Sequence, residues 1–551
     1  MLQTPNWQDQ VKSELDALKK RGTIEALWRR DPNAWVAPPT GGAPAEEATG
    51  WLDLPDQMAD LVDDLITFVD EVRIDGFTDL VLLGMGGSIL GPLVIGRVFG
   101  TSPGYLRLHV LDSTVPGQIR AVENRVDLRR TLFLISSKSG TTIEPLSVAA
   151  FFRGRLEEIG VENPDARFIA ATDPGSSLET MANERGFKRV FDTPVDVGGR
   201  FSVLSRFGLL PAALVGVDLE KLLGPAVAMA QACRASDDPE TNPGALLGAT
   251  LGGLAAAGRD KVTIVTSPRL SSIGLWVEQL LAESTGKNGR GLVPVADEPF
   301  YSASEYGDDR NFVYIRLAGD DNTRTDAHMS TLGNAGRPVT RIELGHNYDL
   351  GAEFFRWEFA VAVAATAISV YPFDQPDVES GKVFTRNLIE SRDATGQTLP
   401  DAPDVDEIVK SVASARPGDY VAILGYIPES PEVDSAVSEL RAAITRRTGI
   451  ATTFGYGPRY LHSTGQLHKG GPDGVIGLAL VAGNEDALAA PRVDSGTETE
   501  IAYGFESLFV AQLLGDLEAL RAKAHRNMMA VLKTPYAKAI QNITASLNEG
   551  L

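Results

Sequence analysis

The hydrophobic positions of this chain follow two patterns, short apolar runs and segments in which apolar residues recur every three or four positions. Residues 6–31 and 55–73 show the second pattern, which predicts N-terminal helices. From residue 79 onward, apolar runs of five or six residues alternate with helical stretches. Such alternation is typical of parallel sheets that are covered by helices on both faces, and it predicts an α/β fold.

The alternation occurs twice and then continues in a shorter third part, although no repeat is visible residue by residue. The predicted strands of the first two units are 79–83, 106–111, 131–135, 167–171, 261–266, 312–317 and 339–344. The helices predicted between and after them are 143–158, 272–282 and 352–370. In the third part we predict strands at 420–426 and 475–481 and helices at 433–448, 503–524 and 526–547.

Composition shifts indicate where these units meet. Pro38–Ala48 is rich in Pro, Gly and Ala and reads as a linker, and residues 401–417 turn to Pro, Asp, Ser and Ala. We therefore predict an N-terminal helical segment (1–75), two doubly wound parallel-sheet domains (76–225 and 226–400), and a small C-terminal α/β segment (401–551).

Charge and cysteine content narrow the classes of function. The 551 residues include 73 Asp and Glu against 51 Lys and Arg, a formal net charge of −22. So acidic a chain is a poor partner for nucleic acid or an anionic membrane, because both are held by clustered cations. Cys233 is the only cysteine, which excludes an intrachain disulfide and a multi-thiolate zinc site. The N-terminus lacks a signal-peptide pattern, so we expect a cytoplasmic protein. We also expect it to work without a metal ion or other cofactor.

A glycine-rich turn follows the first predicted strand. Gly84-Met-Gly-Gly-Ser88 would let backbone N–H groups approach an anion closely. A dinucleotide fingerprint needs a third glycine where this chain has Ile89, although Asp112 after the next strand could imitate the acid that binds ribose. An NAD-dependent oxidoreductase is therefore a weaker alternative, and an ordinary strand-to-helix turn is another.

The segment Ser136-Ser-Lys-Ser-Gly-Thr-Thr142 also lies between a predicted strand and a helix, and five of its seven residues carry hydroxyl groups. Hydroxyls and free N–H groups at a helix N-terminus favour a phosphate monoester. The Walker A pattern is absent from the chain, which argues against nucleotide hydrolysis. A Ser/Thr-rich capping loop is the alternative interpretation.

Three more segments carry candidate chemistry. Val197-Gly-Gly-Arg-Phe-Ser202 presents Arg200 from a glycine turn, where it could stabilise an oxyanion. Gln279-Leu-Leu-Ala-Glu-Ser-Thr-Gly-Lys287 places Glu283 at the end of an apolar helix, whose partial negative charge makes a carboxylate a better proton acceptor. Pro372–Lys382 reads as a turn that enters a helix. Each of these residues could also be an ordinary solvated side chain.

Two of the six histidines lie in Leu461-His-Ser-Thr-Gly-Gln-Leu-His-Lys-Gly-Gly471. Their spacing does not match a zinc motif, so we expect His462 or His468 to move protons near neutral pH or to have a structural role.

Together these motifs make the chain resemble the glucose-6-phosphate isomerase family, which is built from two sugar isomerase (SIS) domains. It is most similar to the isomerase half of fused transaldolase/glucose-6-phosphate isomerase proteins. The resemblance runs from about Trp51 to the C-terminus, and it leaves no room for a transaldolase barrel. In the usual isomerases the histidine motif precedes the lysine motif, whereas here His462 follows Lys382 in an added C-terminal segment.

The resemblance implies a role for each matching residue. It implies that Glu283 is the isomerising base, Arg200 stabilises the enediolate, and Lys382 and His462 assist ring opening. It also implies a set of substrate-binding residues: Gly87, Ser88, Ser137, Lys138, Ser139, Thr141, Thr142, Glu144 and Gln279. Among these, Glu144 would orient His462.

The activity implied is reversible isomerisation of glucose 6-phosphate to fructose 6-phosphate, a step of glycolysis and gluconeogenesis, with a sugar phosphate as the only small-molecule partner. A non-catalytic SIS-type sugar-phosphate sensor would need the phosphate loop but neither Glu283 nor His462, and mannose 6-phosphate could be a further substrate. The resemblance also leaves open a homodimer and a functional link to a separate transaldolase.

Overall fold

The computed structural model describes residues 6–36, 44–378, 384–385, 405–483, 504–523 and 525–549. Lys382 and most of the predicted linker at 38–48 lie outside these ranges. Within them, no helix is both long enough and apolar enough to cross a lipid bilayer.

The described residues form three parallel sheets with helices between the strands. The first sheet has strands β1 Asp79–Gly84, β2 Arg107–Leu111, β3 Thr131–Ser136, β4 Phe168–Thr172 and β5 Arg189–Asp192. The second has β6 Lys261–Thr266, β7 Val293–Ala296, β8 Arg310–Leu317 and β9 Val339–Leu344. The third has β10 Tyr420–Tyr426, β11 Ala451–Tyr456, β12 Val475–Ala482 and β13 Arg526–Leu532.

The helices that precede the first sheet and connect its strands are α1 Trp7–Arg21, α2 Thr23–Trp28, α3 Leu54–Ala59, α4 Val62–Ile74, α5 Gly87–Phe99, α6 Pro116–Glu123, α7 Ile143–Glu158 and α8 Ser177–Arg185. Those between the first sheet and the end of the second are α9 Arg206–Leu214, α10 Leu219–Ala235, α11 Pro243–Ala256, α12 Ile273–Thr285, α13 Thr323–Asn334 and α14 Leu350–Ala367. The C-terminal helices are α15 Val405–Ala413, α16 Pro431–Thr448, α17 Gly465–Gly470, α18 Phe505–Ala522 and α19 Tyr536–Glu549.

All three sheets are wound in the same way. The strand orders are β2-β1-β3-β4-β5, β7-β6-β8-β9 and β11-β10-β12-β13, and the strand pairs within each sheet are parallel. The order reverses beside the first strand of each sheet, and ligands of open α/β sheets bind at the carboxyl ends of the strands at such a reversal. The predicted α/β class with doubly wound parallel sheets is confirmed, whereas the boundaries at 75, 225 and 400 stay predictions.

The C-terminal part differs from the sequence prediction in two strands, and the first of them, β11, was not predicted at all. We expected a helix over 526–547, but Arg526–Leu532 is the strand β13, which pairs with β12, and only Tyr536–Glu549 is helical. Met and Ala are good helix formers, but intrinsic propensity is weaker than tertiary context, and here pairing with β12 outweighs it. The C-terminal part is therefore a complete four-stranded α/β unit.

The main hydrophobic core lies between the first two sheets. Helix α14 packs against α10 and α11, and nearly all of its side chains are buried. Trp51 and Phe201 stack at 5.3 Å between ring centroids and join the N-terminal segment to this core. The third sheet has cores of its own on its two faces.

Polar contacts dock the third sheet onto the other two. Arg459 forms a two-pronged ion pair with Asp112, with N–O distances of 2.5 and 2.9 Å. Arg441 donates hydrogen bonds to the carbonyl oxygens of Ala296 (2.9 Å) and Asp297 (3.1 Å) at the end of β7. Asp112, which the sequence allowed as a ribose-binding acid, is thus used in a contact between domains, and the dinucleotide alternative loses that support.

A buried carboxyl lies at the second of these interfaces. Burial, with a contribution from the charge of Asp297, raises the pKa of Glu278 to about 8, although Arg441 opposes the shift. The backbone N–H of Ala296 donates a hydrogen bond to Glu278 Oε1 at 3.3 Å. Near neutral pH Glu278 is therefore a neutral hydrogen-bonding group inside the protein.

We predict that Glu278→Gln changes the pH dependence of stability. The pKa of Glu278 is higher in the folded state than in the unfolded chain, so its stabilising contribution is complete below about pH 4.5 and is lost as pH rises through about 8. Glutamine does not titrate, so the variant should match the wild type at pH 5 and exceed its free energy of unfolding by roughly 3–5 kcal/mol above pH 8. Urea unfolding at the two pH values measures this difference, and an offset that does not vary with pH would contradict it.

Candidate active site

The glycine turn and the hydroxyl-rich loop lie side by side at the strand-order reversal of the first sheet. Gly84 at the end of β1 is in register with Ser136 at the end of β3. Helix α5 starts at Gly87, and α7 starts directly after Thr142, whose side chain makes no capping hydrogen bond. Two helix N-termini thus point their free N–H groups to one edge of the sheet, an arrangement that suits a phosphate group.

The hydroxyl groups of this loop are organised in pairs. Ser137 Oγ and Thr142 Oγ1 are 3.1 Å apart, and Ser139 Oγ and Thr141 Oγ1 are 3.0 Å apart. Ser88 is buried in the first turn of α5, and its carbonyl oxygen accepts a hydrogen bond from Ser136 Oγ at 3.2 Å. Within each pair one O–H donates to the other oxygen, so each pair keeps one O–H that can donate to an anion, whereas the O–H of Ser136 is already used.

Lys138 lies in the loop, but its ammonium group points to other partners. Nζ donates to Asp173 Oδ2 at 2.5 Å and to the carbonyl oxygens of Pro194 and Val195, both at 3.1 Å. These three acceptors use all three N–H bonds of the ammonium group. The expectation that its side chain supplies positive charge to a ligand is therefore not supported by the geometry, and only its backbone remains available.

Glycines permit the close approach of three motifs. A side chain on Gly86, which has φ of +53°, would meet the carbonyl oxygen of His462 at 2.5 Å and Gln279 Nε2 at 2.9 Å. A Cβ on Gly87 would lie 1.9 Å from the carbonyl oxygen of Gly199. The turn after β1 is thus in direct contact with the segments that carry Arg200, Glu283 and His462.

Arg200 is the most highly connected side chain of the site. Only 3% of it is exposed, and it lies in a short 3₁₀ turn, Gly199–Phe201. Its three guanidinium nitrogens face five oxygen atoms, namely Glu283 Oε1 (3.1 Å), Ser284 Oγ (2.8 Å), Gln375 Oε1 (3.0 Å) and the carbonyl oxygens of Pro372 (2.6 Å) and Asp374 (3.0 Å). It thereby joins the first sheet to α12 and to residues 372–375.

Glu283 lies in the last turns of α12 and is held on both sides. Arg200 contacts one carboxylate oxygen, and Gln279 Nε2 donates to the other at 2.9 Å. Gln279 Nε2 also donates to the carbonyl oxygen of His462 at 2.9 Å, while its buried Oε1 has no hydrogen-bond partner in the part of the chain that the structure describes. Only 12% of the Glu283 side chain is exposed, so the carboxylate is largely shielded from bulk solvent.

His462 and Glu144 form a second pair, although 318 residues separate them. His462 Nε2 lies 2.9 Å from Glu144 Oε1. Glu144 is in the first turn of α7, directly after the hydroxyl-rich loop, whereas His462 follows β11 of the third sheet. The third sheet thus delivers a histidine to the edge of the first sheet within one chain.

His468 is unlike His462. It is 3% exposed, and its Nδ1 lies 2.9 Å from the hydroxyl oxygen of Tyr420. Burial lowers the pKa of His468 to about 3, so the ring is neutral at physiological pH. Of the two histidines that the sequence left open, the geometry places His462 beside the other site residues and His468 in the core of the third sheet.

Lys287 and Gln466 also hold the site together, although the sequence indicated no role for either residue. Lys287 Nζ donates to Asp374 Oδ1 (2.6 Å) and to the carbonyl oxygens of Tyr371 (2.6 Å) and Asp374 (2.5 Å), and burial lowers its pKa to about 7. Gln466 Nε2 donates to the carbonyl oxygen of Gly286 at 2.9 Å. Their only sequence signal was their place in motifs next to Glu283 and His462.

Residues 374–378 lead toward Lys382, which lies outside the described residues. The backbone N–H of Asp377 donates to Gln466 Oε1 at 2.9 Å. The described chain therefore fixes the start of this segment beside the site, while the role of Lys382 remains a prediction. No group of three or more His, Cys, Asp or Glu side chains in the described ranges is arranged to hold a metal ion.

A family model and the sequences of known proteins both match this chain. The family model described as phosphoglucose isomerase matches residues 53–291. A glucose-6-phosphate isomerase of Rubrobacter xylanophilus is 30% identical over 391 residues, which cover 62% of this chain and 90% of the relative. A glucose-6-phosphate isomerase of Prochlorococcus marinus is 31% identical over 395 residues, covering 65% of this chain and 75% of the relative.

Solved structures show the same likeness. A hypothetical protein from Thermus thermophilus superposes with a TM-score of 0.59 at 26% identity, covering 70% of this chain and 97% of that protein. A glucose-6-phosphate isomerase from Chlamydia trachomatis has a TM-score of 0.53 at 20% identity, covering 68% and 80%, and supports the fold alone.

We predict that the close approach at Gly87 is essential to the assembled site. Gly87→Ala would force the backbone of Gly199 away and should lower the free energy of unfolding by about 1–3 kcal/mol. Gly154→Ala is the matched control, because Gly154 lies within α7 and a Cβ there meets nothing within 4 Å. The control should gain about 0.5–1 kcal/mol, and urea denaturation of both variants checks this difference in sign. Equal stability of the two would show that the Gly87 contact is dispensable.

Proposed function

The chain belongs to the glucose-6-phosphate isomerase family, and from that premise we propose that it interconverts D-glucose 6-phosphate and D-fructose 6-phosphate through a cis-enediol. The observation that carries this proposal is the position of the Glu283 carboxylate. It is held between Arg200 and Gln279, and Gln279 also contacts the turn at Gly86 that begins the phosphate-binding edge. Gln279 thus connects a candidate proton acceptor to a candidate anion site.

The substrate phosphate would bind at the N-termini of α5 and α7. The donors would be the backbone N–H of Gly87, the hydroxyl of Ser88 and one O–H from each of the pairs Ser137–Thr142 and Ser139–Thr141, while Lys138 contributes only its backbone. The backbone N–H of Ser88 already donates to the carbonyl oxygen of Met85 at 3.2 Å. Helix dipoles and fixed donors can therefore bind a dianion although the whole chain carries a net charge of −22. The phosphate then serves as the handle that fixes the sugar relative to Glu283.

Ring opening would use the His462–Glu144 pair. An ionised carboxylate accepts hydrogen bonds only, so Glu144 keeps a proton on His462 Nε2 and leaves Nδ1 for exchange with a ring oxygen. We assign Lys382 to the same step on the family pattern alone.

Isomerisation would follow on the open chain. Glu283 takes the proton from C2 and returns it to C1, while a hydroxyl proton passes from O2 to O1, and the two shifts together convert the aldose into the ketose. As Glu283 becomes neutral, the negative charge moves to the enediolate oxygens, and the guanidinium of Arg200, 3.1 Å from the carboxylate, remains to stabilise it. Arg200 would act through its electric field, because its nitrogens already face protein oxygens.

The remaining expectations are also proposals. We infer a cytoplasmic enzyme that needs neither a metal ion nor a redox cofactor and that works without nucleic acid or membrane. We further propose that the protein forms a homodimer, that it tolerates mannose 6-phosphate, and that it has a functional link to a separate transaldolase.

We predict that Glu283→Gln abolishes most of the turnover of fructose 6-phosphate. General-base catalysis typically contributes 10²–10⁴-fold, so kcat should fall by about three orders of magnitude while the fold is retained. A coupled assay for glucose 6-phosphate formation measures this loss.

Glu278→Gln is the matched control, since Glu278 precedes Gln279 on the same helix and is also buried. It is already neutral near pH 7, so the variant should keep kcat within about twofold. Substantial activity in Glu283→Gln would refute the assignment of the base.

A further inference from the structure

Helix α18 carries two buried polar side chains, Gln512 and Asp516, that the mechanism above does not use. They are one turn apart and so lie on the same face of the helix, and they are 3% and 2% exposed. Both point to the place where the third sheet delivers His462. We propose that Gln512 is a positioning residue for ring opening, because it holds Glu144 in the orientation that His462 requires; this inference rests on the proposed function.

Gln512 and His462 share one acceptor atom. Gln512 Nε2 donates to Glu144 Oε1 at 2.7 Å, and His462 Nε2 lies 2.9 Å from the same oxygen. The opposite end of the Gln512 side chain is also fixed, because Thr114 Oγ1 donates to Gln512 Oε1 at 2.7 Å. A side-chain amide with both ends bound has one orientation, and Glu144 therefore receives an N–H donor at a defined position.

This contact has a chemical consequence beyond packing. A donated N–H stabilises the ionised form of Glu144, and an ionised carboxylate requires that the proton of His462 lies on Nε2. Gln512 thus acts on the tautomer and the ring orientation of a histidine that it does not touch. Loss of this contact should impair proton transfer more than substrate binding.

Asp516 makes Gln512 and His462 parts of one rigid unit. Asp516 Oδ1 accepts from Lys469 Nζ at 2.6 Å, and Oδ2 accepts from Tyr460 Oη at 2.5 Å. Tyr460 precedes His462 by two residues, and Lys469 lies in α17 just after the histidine loop. The helix that supports Glu144 is therefore also the helix that anchors both ends of the loop bearing His462.

The first test uses Gln512→Leu, which keeps the size of the side chain and removes both hydrogen bonds. We expect kcat for fructose 6-phosphate to fall about 10- to 100-fold, with KM changed less than about threefold. Glu518→Gln is the matched control on the same helix, because Glu518 is half exposed and pairs only with Arg521 among the described residues, and it should leave both constants within about twofold. A rise in KM with unchanged kcat would overturn the proposal.

A double-mutant cycle separates positioning from general loosening. If Gln512 acts through Glu144, then Gln512→Leu should reduce kcat much less in a Glu144→Gln background than in the wild type. Reductions that simply multiply would show that Gln512 acts independently of Glu144, which also overturns the proposal.

The closing experiment isolates ring opening from isomerisation. Opening and reclosure of glucose 6-phosphate interconvert its two anomers, and exchange NMR measures this rate without any isomerisation. Glu283→Gln should still accelerate anomer exchange, because its His462–Glu144 pair is intact. Adding Gln512→Leu to this variant should lower the acceleration at least about tenfold.

Each outcome of this experiment has a separate meaning. Equal acceleration in the single and double variants overturns the role of Gln512 and leaves the proposed function unaffected. No acceleration in Glu283→Gln overturns the ring-opening role of the histidine pair, and the role of Gln512 with it, while the isomerase activity is judged from wild-type turnover.

Discussion

The ion pair between Arg200 and Glu283 is the contact on which the rest of the site depends. The guanidinium is buried, and a buried charge is tolerated only when its hydrogen-bond donors find acceptors. Five oxygen atoms from α12 and from residues 372–375 surround it, so these elements cannot move independently of Arg200. The Glu283 carboxylate is consequently held at one place relative to the first sheet.

The backbone around this ion pair is packed as tightly as the side chains. Gly86 and Gly87 lie where any Cβ would meet the carbonyl oxygens of His462 and Gly199. The two glycines thus bring the N-terminus of α5 against the segments that carry His462 and Arg200. Lys287 adds a further restraint, since its buried ammonium group holds Asp374 against the end of α12.

The sequence was sufficient for the fold class and for naming most of the residues that the structure brings together at the candidate site, because both follow from local patterns. An apolar run that is followed by glycine or hydroxyl residues predicts the end of a strand. The structure confirms β1 and β3 at those places. The same reasoning failed for Arg526–Leu532, where pairing with β12 determines the conformation. The conformational preference of these seven residues carries no information about pairing with a strand that lies about 50 residues earlier in the chain.

Side-chain direction was the other property that the sequence could not supply. Lys138 lies in the expected loop, yet Asp173 and two carbonyl groups bind its ammonium group. Gln512, in contrast, lies in no recognisable motif. Only the structure shows that it and His462 contact the same oxygen of Glu144. Residues that act through a partner distant in sequence become visible only when the domains are docked.

The way in which the three sheets are joined determines the geometry of the site, because its three groups belong to three different sheets. Glu144 follows β3, Glu283 follows β6, and His462 follows β11, so their distances depend on how rigidly the sheets are joined. Polar contacts with strict geometry make these joints, among them the paired hydrogen bonds of Arg459 with Asp112. Apolar surfaces can slide over one another at little cost, whereas a two-pronged ion pair loses most of its energy when it is displaced. Together with the apolar cluster that joins Val115, Ala282 and Val293 to the third sheet, these polar contacts place His462 at the edge of the first sheet.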